Sequence, residues 1–182
     1  PMALLLQRVN GRFHKALYFP DAAGVAVSRN TFAWDRDMNP EAGMVRLVMG
    51  LGTRAVDRIE GDHAAVLALD WPERRPFRSN DEYYAMTQHM LDAIDVERGE
   101  LVSEPAQRLF SNLPDLPLMQ LAEQDQHASE RARALKLHHP IWRLTFKPLI
   151  RNSDFIERMQ HLLLQLESAY EHPVDVEFTL QF

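Results

Sequence analysis

Strict alternation of apolar and polar residues marks the last strand that the sequence predicts. Val174, Val176, Phe178, Leu180 and Phe182 occupy every second position, and the residues between them are polar. Side chains of an extended chain point alternately to its two sides, so one face is expected to be buried and the other exposed to water. The pattern therefore predicts a half-buried β-strand.

A helix is predicted directly before this strand. Asp154 and Glu157 have the spacing of a capping box, in which side chains bind the free amides at a helix start. Apolar residues then recur at helical spacing, at Phe155, Met159, Leu162, Leu166 and Ala169. Pro173 ends the pattern because proline cannot continue a helix.

Short apolar runs predict several more strands in the first part of the chain. They lie at 3–9, 24–30, 44–49 and 64–69. In the second run, Val25, Val27 and Arg29 share one face, and the residues between them share the other.

The middle of the chain predicts fewer elements. Residues 79–90 are expected to form a helix capped by Asn80, and residues 93–103 a hairpin that turns around Gly99. Residues 118–137 are compatible with one longer helix. No repeat or low-complexity linker divides the sequence, so 1–182 are expected to form a single domain.

Composition narrows the classes of function. The chain has 182 residues, 46% of them apolar, and a net charge of −6, which argues against nucleic acid as a partner. The apolar runs are much shorter than a membrane span, so no membrane partner is expected. The chain has no cysteine, which excludes disulfides and thiolate metal sites. These features favour a cytoplasmic protein.

Two carboxylates on the last strand are candidates for metal binding. Asp175 and Glu177 are two residues apart and point the same way, with Cα atoms about 6.6 Å apart. Two oxygen ligands on one rigid face can share a Mg²⁺ ion that also holds nucleotide phosphates. On pattern alone, the alternative is a strand whose polar face is exposed to solvent and binds no ligand.

The glycines at 50–52 allow two interpretations. A Gly-Leu-Gly segment after a strand lets backbone amides approach a phosphate, and Thr53 and Arg54 could add a hydroxyl and a positive charge. The segment lacks the spacing of either common phosphate-binding glycine motif, so a structural turn is the favoured interpretation.

Four segments, in order, resemble the nucleotide-binding domain of the phosphoenolpyruvate synthase and pyruvate phosphate dikinase family, which has the ATP-grasp fold. Met-Ala-Leu-Leu-Leu-Gln-Arg-Val at 2–9 and Gly-Val-Ala-Val-Ser-Arg-Asn at 24–30 are similar to two of its strands. The segment at 40–58, with Gly-Leu-Gly-Thr-Arg, is similar to its long Gly-Leu-Gly block. Pro-Val-Asp-Val-Glu-Phe-Thr at 173–179 resembles its Pro-x-Asp-x-Glu strand. Residues 73–150 match poorly.

The resemblance implies an ATP site with Mg²⁺. The strand end at Gln7, Arg8 and Val9 would be the hinge whose backbone meets adenine. Asp175 and Glu177 would be the acid pair that handles Mg²⁺ and the ATP phosphates. The same resemblance makes Arg29 a candidate for phosphate contact, with a buried structural ion pair as the alternative.

The resemblance also implies partner domains. In the family, a lysine and an arginine that grip the phosphates precede the hinge strand, and this sequence begins at that strand. We therefore expect the second half of an ATP-grasp domain, an α+β fold with a mixed, mainly antiparallel sheet and flanking helices, that is inactive by itself. Its expected partners are the other ATP-grasp half, a phosphohistidine domain and a phosphoenolpyruvate-binding barrel.

Two other functions stay open at this point. Many family members have Gly-Leu-Gly-Glu, and this chain has Thr53 in place of the glutamate. That departure favours a non-catalytic regulatory or assembly module that keeps the fold. A related ATP-dependent dikinase with a different phosphoryl acceptor is the other alternative.

Overall fold

A computed structural model describes residues 8–57, 61–136 and 139–182. Its strands are β1 Arg12–His14, β2 Leu17–Phe19, β3 Ala22–Val27, β4 Met44–Val48, β5 Ala65–Ala68, β6 Met90–Asp95, β7 Glu100–Pro105, β8 Glu123–Gln124, β9 Trp142–Arg143 and β10 Asp175–Leu180. Its α-helices are α1 Thr53–Val56, α2 Asn80–Ala85, α3 Ala106–Asn112, α4 Leu118–Leu121, α5 Gln126–Ala134, α6 Lys147–Asn152 and α7 Phe155–Tyr170. A short 3₁₀ turn at Pro40–Ala42 precedes β4.

Two antiparallel four-stranded sheets organise the chain. Sheet A has the strand order β1-β2-β6-β7, and sheet B has the order β10-β3-β4-β5. Strands β8 and β9 form a small separate pair. Sheet A is therefore assembled from two hairpins, whereas sheet B receives β10 from a distant part of the sequence.

The core lies between one face of sheet B, sheet A and the helices. It contains Phe19 and Leu91 from sheet A, Leu47 from sheet B, and Phe155 and Met159 from α7. The apolar side chains of β10 pack against the same core. One side of β10 is consequently committed to packing, and its polar side faces away from the core.

The strand predictions fare well where the structure describes them. The strands predicted at 24–30, 44–49 and 64–69 correspond to β3 Ala22–Val27, β4 Met44–Val48 and β5 Ala65–Ala68. The predicted hairpin corresponds to β6–β7, which turns at Gly99. The predicted strand at 3–9 mostly falls outside the described residues. Its last two residues, Arg8 and Val9, are described and are not in a strand.

Three helix predictions need correction. The helix expected at 79–90 is the shorter α2; its cap is Ser79, whose hydroxyl accepts the Glu82 amide, and not Asn80. The helix expected at 118–137 is divided into α4 and α5, because the chain is extended at β8 between them. Asp154 precedes α7, but its carboxylate makes no capping bond and pairs with Arg158 at 2.8 Å.

A buried histidine supports β1. The His14 side chain is only 2% exposed and stacks on Phe19 with ring centroids 4.3 Å apart. Its Nδ1 lies 3.1 Å from a carboxylate oxygen of Asp115. Burial lowers the pKa of His14 below its usual value, although the Asp115 carboxylate acts in the opposite direction. Burial in the fold therefore disfavours the protonated form of His14.

Mild acid is expected to destabilise the protein through His14. The unfolded chain takes up a proton near the ordinary histidine pKa of about 6.5, whereas the folded chain resists it. Stability is therefore full above about pH 6.5 and falls as the pH decreases toward the lower folded pKa. Urea unfolding across this range should show a steeper loss in wild type than in a His14→Gln variant. Parallel pH profiles would contradict the prediction.

Candidate acid-pair site on sheet B

Strand β10 carries both candidate carboxylates on its exposed face. It pairs antiparallel with β3, placing Asp175 opposite Val27 and Glu177 opposite Val25. Asp175 and Glu177 are exposed, and the residues that alternate with them are half-buried against the core. The spacing expected from the sequence is thus realised on a strand of defined register.

Side chains from other parts of the chain hold both ends of β10. Before the strand, the Val174 amide donates to the Ser28 hydroxyl at 2.9 Å, and Ser28 N donates to the Val174 carbonyl at 2.9 Å. Beyond it, the Phe182 amide donates at 2.7 Å to the carboxylate of Asp21, which is fully buried. Asp21 also accepts from Arg12 at 2.6 Å. The acid-bearing strand is fixed at two points besides its ladder.

The acid pair has no protein partner within the described residues: neither Asp175 nor Glu177 makes a side-chain hydrogen bond or ion pair there. Two carboxylates side by side repel each other unless a cation lies nearby. Carboxylate oxygens are also the ligands that Mg²⁺ prefers. The donor set therefore fits a Mg²⁺ ion whose other ligands would be water and phosphate oxygens.

Arg46 lies on the same face, two strands away from Glu177. The ladder places Glu177, Val25 and Arg46 in one row across β10, β3 and β4. With about 4.8 Å between neighbouring strands, the Cα atoms of Glu177 and Arg46 are roughly 10 Å apart. This face of sheet B thus carries a cation across from the carboxylates.

Arg29 is engaged in an ion pair. Its guanidinium contacts both carboxylate oxygens of Glu167 on α7, at 2.5 and 3.0 Å, and also donates to the Ser28 carbonyl. Both side chains are partly buried. The geometry matches the structural alternative for Arg29, and its contact with phosphate stays a prediction.

Of the predicted hinge residues, Val9 contacts sheet A. Arg8 and Val9 are exposed, and the Val9 carbonyl accepts from the Tyr18 hydroxyl on β2 at 3.1 Å. Gln7 lies outside the described residues. No contact among the described residues joins Val9 to the acid pair. The acid pair lies beside the second half of β3, whereas β2 precedes the first residue of β3. Their role in binding adenine stays a prediction.

The Gly-Leu-Gly segment is a turn docked on sheet A. Gly50 has φ +85°, and a β-carbon there would lie 2.7 Å from the Asp92 carbonyl oxygen. The next amide, of Leu51, donates to that carbonyl at 2.9 Å. The Gln88 carboxamide also bonds both backbone groups of Met49. The glycine serves a close approach between the two sheets, as the structural interpretation predicts.

Thr53 and Arg54 belong to a buried polar network. The Thr53 hydroxyl donates to Asp92 at 2.6 Å, and Arg54 pairs with Asp92 at 2.9 Å and with Asp62 at 2.5 Å. The Ser103 hydroxyl also donates to Asp92. Burial raises the pKa of Asp92, but these hydrogen bonds and the Arg54 charge outweigh it and hold the pKa below its usual value. The hydroxyl and the cation considered for phosphate binding are thus occupied in joining the sheets.

Sequence reasoning missed the roles of Arg46 and Asp92. Arg46 is the one charged residue in the apolar run of β4, which is a signal that pattern analysis could have used. Asp92 gave a weaker signal, because the residues that it bonds are 11 to 39 positions away in the sequence.

Two features are absent from the residues that the structure describes. No group of three or more histidine, cysteine, aspartate or glutamate side chains there is placed to hold a metal ion. Among the helices of that same part of the chain, none combines the length and apolar character needed to cross a membrane.

Comparison with known proteins gives one match. The family model for the pyruvate phosphate dikinase AMP/ATP-binding domain matches residues 1–182. No curated protein and no solved structure matched the chain.

Proposed function

The chain belongs to the pyruvate phosphate dikinase AMP/ATP-binding domain family, and from this premise we propose that it is the ATP- and Mg²⁺-binding part of a phosphoenolpyruvate synthase-like phosphotransferase. The ATP-grasp-like α+β class that the sequence predicts, with mainly antiparallel sheets and flanking helices, is confirmed. The observation that carries the proposal is the exposed acid pair on β10, which has no side-chain partner among the described residues and lies on a strand held at both ends.

Asp175 and Glu177 are proposed to hold the Mg²⁺ of Mg-ATP. When bound, the ion neutralises phosphate charge, which is the main requirement of phosphoryl transfer. The residues of the chain supply position: the ladder to β3 fixes the direction of both carboxylates, and the bonds to Ser28 and Asp21 restrain the strand. Phosphoryl transfer depends on such positioning because the protein takes little part in the covalent chemistry.

The remaining site residues are proposed on the resemblance. Gln7, Arg8 and Val9 would meet adenine through their backbone, and Arg29 would reach phosphate only by leaving Glu167. Residues 1–182 would act as one domain, the second half of an ATP-grasp unit in a cytoplasmic protein. Its partners would be the other half, a phosphohistidine domain and a phosphoenolpyruvate-binding barrel.

A second candidate is a non-catalytic regulatory or assembly module with the same fold. The observation that favours it is Thr53, which stands where many family members have glutamate and donates to Asp92. A glutamate at this position could not donate to Asp92 and would bring a second carboxylate near it, which the Asp92 charge would repel.

Calorimetric titration with Mg-ATP tests the proposal. We expect weak binding that requires Mg²⁺ and that weakens about tenfold or more in an Asp175→Asn/Glu177→Gln variant, because both charged metal ligands are lost. The matched control is Asp154→Asn/Glu157→Gln, which removes the same charge from the exposed start of α7. It should bind like wild type.

The outcomes separate the candidates. Equal binding by wild type and the acid-pair variant would refute the assigned role of β10. Absence of Mg-ATP binding in wild type, repeated with the partner domains present, would favour the non-catalytic module.

A further inference from the structure

A cavity of about 400 Å³ lies beside β5, at the opposite edge of sheet B from the acid pair. Its walls include three cations and two aromatic rings, and no acidic residue of the described chain lines it. The lining residues include Arg75, Phe77, Arg78, Asn80, Tyr83 and Lys147. Its volume is within the range of small-molecule pockets in proteins, which is about 300–1,000 Å³.

Arg75 has an unused donor at this cavity. Its Nη1 donates to the Val66 carbonyl on β5 at 2.7 Å, which anchors the side chain. Its Nη2 is buried and has no hydrogen-bond partner of good geometry among the described residues, although the neighbouring Tyr83 side chain interacts with the guanidinium. Burial lowers the pKa of the Arg75 guanidinium. A buried guanidinium whose donors are not all well paired is costly, and a bound anion in the cavity that Arg75 lines would offset part of that cost through its charge.

The other two cations leave the cavity positively charged. Lys147 Nζ lies 3.0 Å from a Glu123 carboxylate oxygen and 5.0 Å from the centre of the Tyr83 ring. The Arg78 side chain forms no ion pair with a described carboxylate. Among the three cations, therefore, only Lys147 has a carboxylate partner in the described chain, which leaves two positive charges for a ligand.

The two rings form an apolar wall beside these cations. Phe77 and Tyr83 stack with centroids 5.4 Å apart and an angle of 30° between their planes. The Tyr83 hydroxyl donates to the Thr145 carbonyl at 3.0 Å, which fixes the ring in place. A ligand that offers only charge would leave this wall unused.

We propose that this cavity binds a small organic phosphate, with its phosphate oxygens on Arg75, Arg78 and Lys147 and its apolar part against Phe77 and Tyr83. Guanidinium and ammonium groups bind phosphate through charge-assisted hydrogen bonds, and the rings add apolar contact. The site is separate from the acid pair and needs no metal ion. It does not depend on the function proposed for β10.

Phenyl phosphate is the probe that tests both parts of the cavity. Calorimetric titrations in the presence of EDTA should show that the wild-type protein binds phenyl phosphate more tightly than inorganic phosphate and does not bind phenol. Arg78→Ser is expected to weaken both phosphates by about tenfold, the effect of losing one charge-assisted bond. Phe77→Leu should weaken phenyl phosphate and leave inorganic phosphate unchanged. Unchanged thermal unfolding shows that each variant is folded.

The matched control is Arg98→Ser, which removes an exposed arginine from the β6–β7 turn and changes the net charge equally. It should bind both phosphates like wild type, and so should Asp175→Asn/Glu177→Gln. If Arg78→Ser and Arg98→Ser weaken phosphate binding equally, the effect comes from net charge alone, and the proposed site is overturned. Failure of wild type to bind either phosphate at millimolar concentration would overturn it as well.

Discussion

An Asp92→Ala variant is expected to lose about 3 kcal/mol of unfolding free energy, the lower end of the cost of breaking a buried ion pair. The Asp92 side chain is nearly inaccessible and accepts from Thr53, Arg54 and Ser103. Removing the Asp92 carboxylate leaves the Thr53 and Ser103 hydroxyls without this acceptor. It also removes one of the two carboxylates that pair with Arg54. Asp62 keeps part of the Arg54 charge compensated, which is why the upper end of the range is not expected.

Urea unfolding with Asp154→Ala as the control measures this cost. Asp154 is an exposed aspartate paired with Arg158, and such a pair contributes only about 0.3–0.5 kcal/mol. If the two variants unfold at the same urea concentration, the network around Asp92 does not hold the sheets together.

A Gly24→Ala variant is expected to cost about 3 kcal/mol, the upper end for overpacking a tight core. A β-carbon at Gly24 would lie 2.2 Å from the Arg46 carbonyl oxygen and 2.9 Å from the Phe178 ring. The carbonyl belongs to the backbone of β4, so the clash cannot be relieved by rotating a side chain. Strands β3 and β4 would have to move apart, and β10 with them.

The matched control is Gly52→Ala. Among the described residues, a β-carbon there meets only Ala23, at 3.5 Å, an ordinary contact, and the backbone is already helical, so a change within about 0.5 kcal/mol is expected. Thermal unfolding compares the two. Equal melting temperatures would show that the close packing at Gly24 can relax.

The sequence predicted the strands best where one face of a strand meets the core. In β10, Val176 and Phe178 alternate with Asp175 and Glu177, and burial alternates in the same way. In β3, Val25 and Val27 share the partly exposed face and Ala26 the buried one; the pattern predicted these two faces but not which of them is buried. Local alternation is enough in these cases because burial of one face decides the register.

The sequence predicted helix ends poorly because several local partners compete for the same groups. Asp154 has the residue type and spacing of a cap, but it pairs with Arg158, and the Ser153 hydroxyl accepts the Phe155 amide at 3.2 Å. At α2, Ser79 and Asn80 are both residue types that cap helices. The helix begins at Asn80, so the residue before it, Ser79, is the cap. Local spacing does not distinguish such neighbours.

The candidate site could be predicted only in part. The acid pair follows from two residues on one strand, and its spacing is a local property. The row from Glu177 to Arg46 depends on which strands are neighbours, and the bond from Thr53 to Asp92 joins α1 to sheet A. Such contacts depend on the topology of the fold, which the spacing of residues in one segment does not contain.

The topology of sheet B also has a consequence for the order of folding. Strand β10 pairs with β3 although the two lie roughly 150 residues apart, whereas β3, β4 and β5 are neighbours in the sequence. Closing a large loop costs more entropy than closing a hairpin, and contacts between distant segments slow folding. An intermediate that contains only the local hairpins therefore lacks the acid-bearing face. The carboxylates acquire their fixed geometry only when this long-range pairing forms.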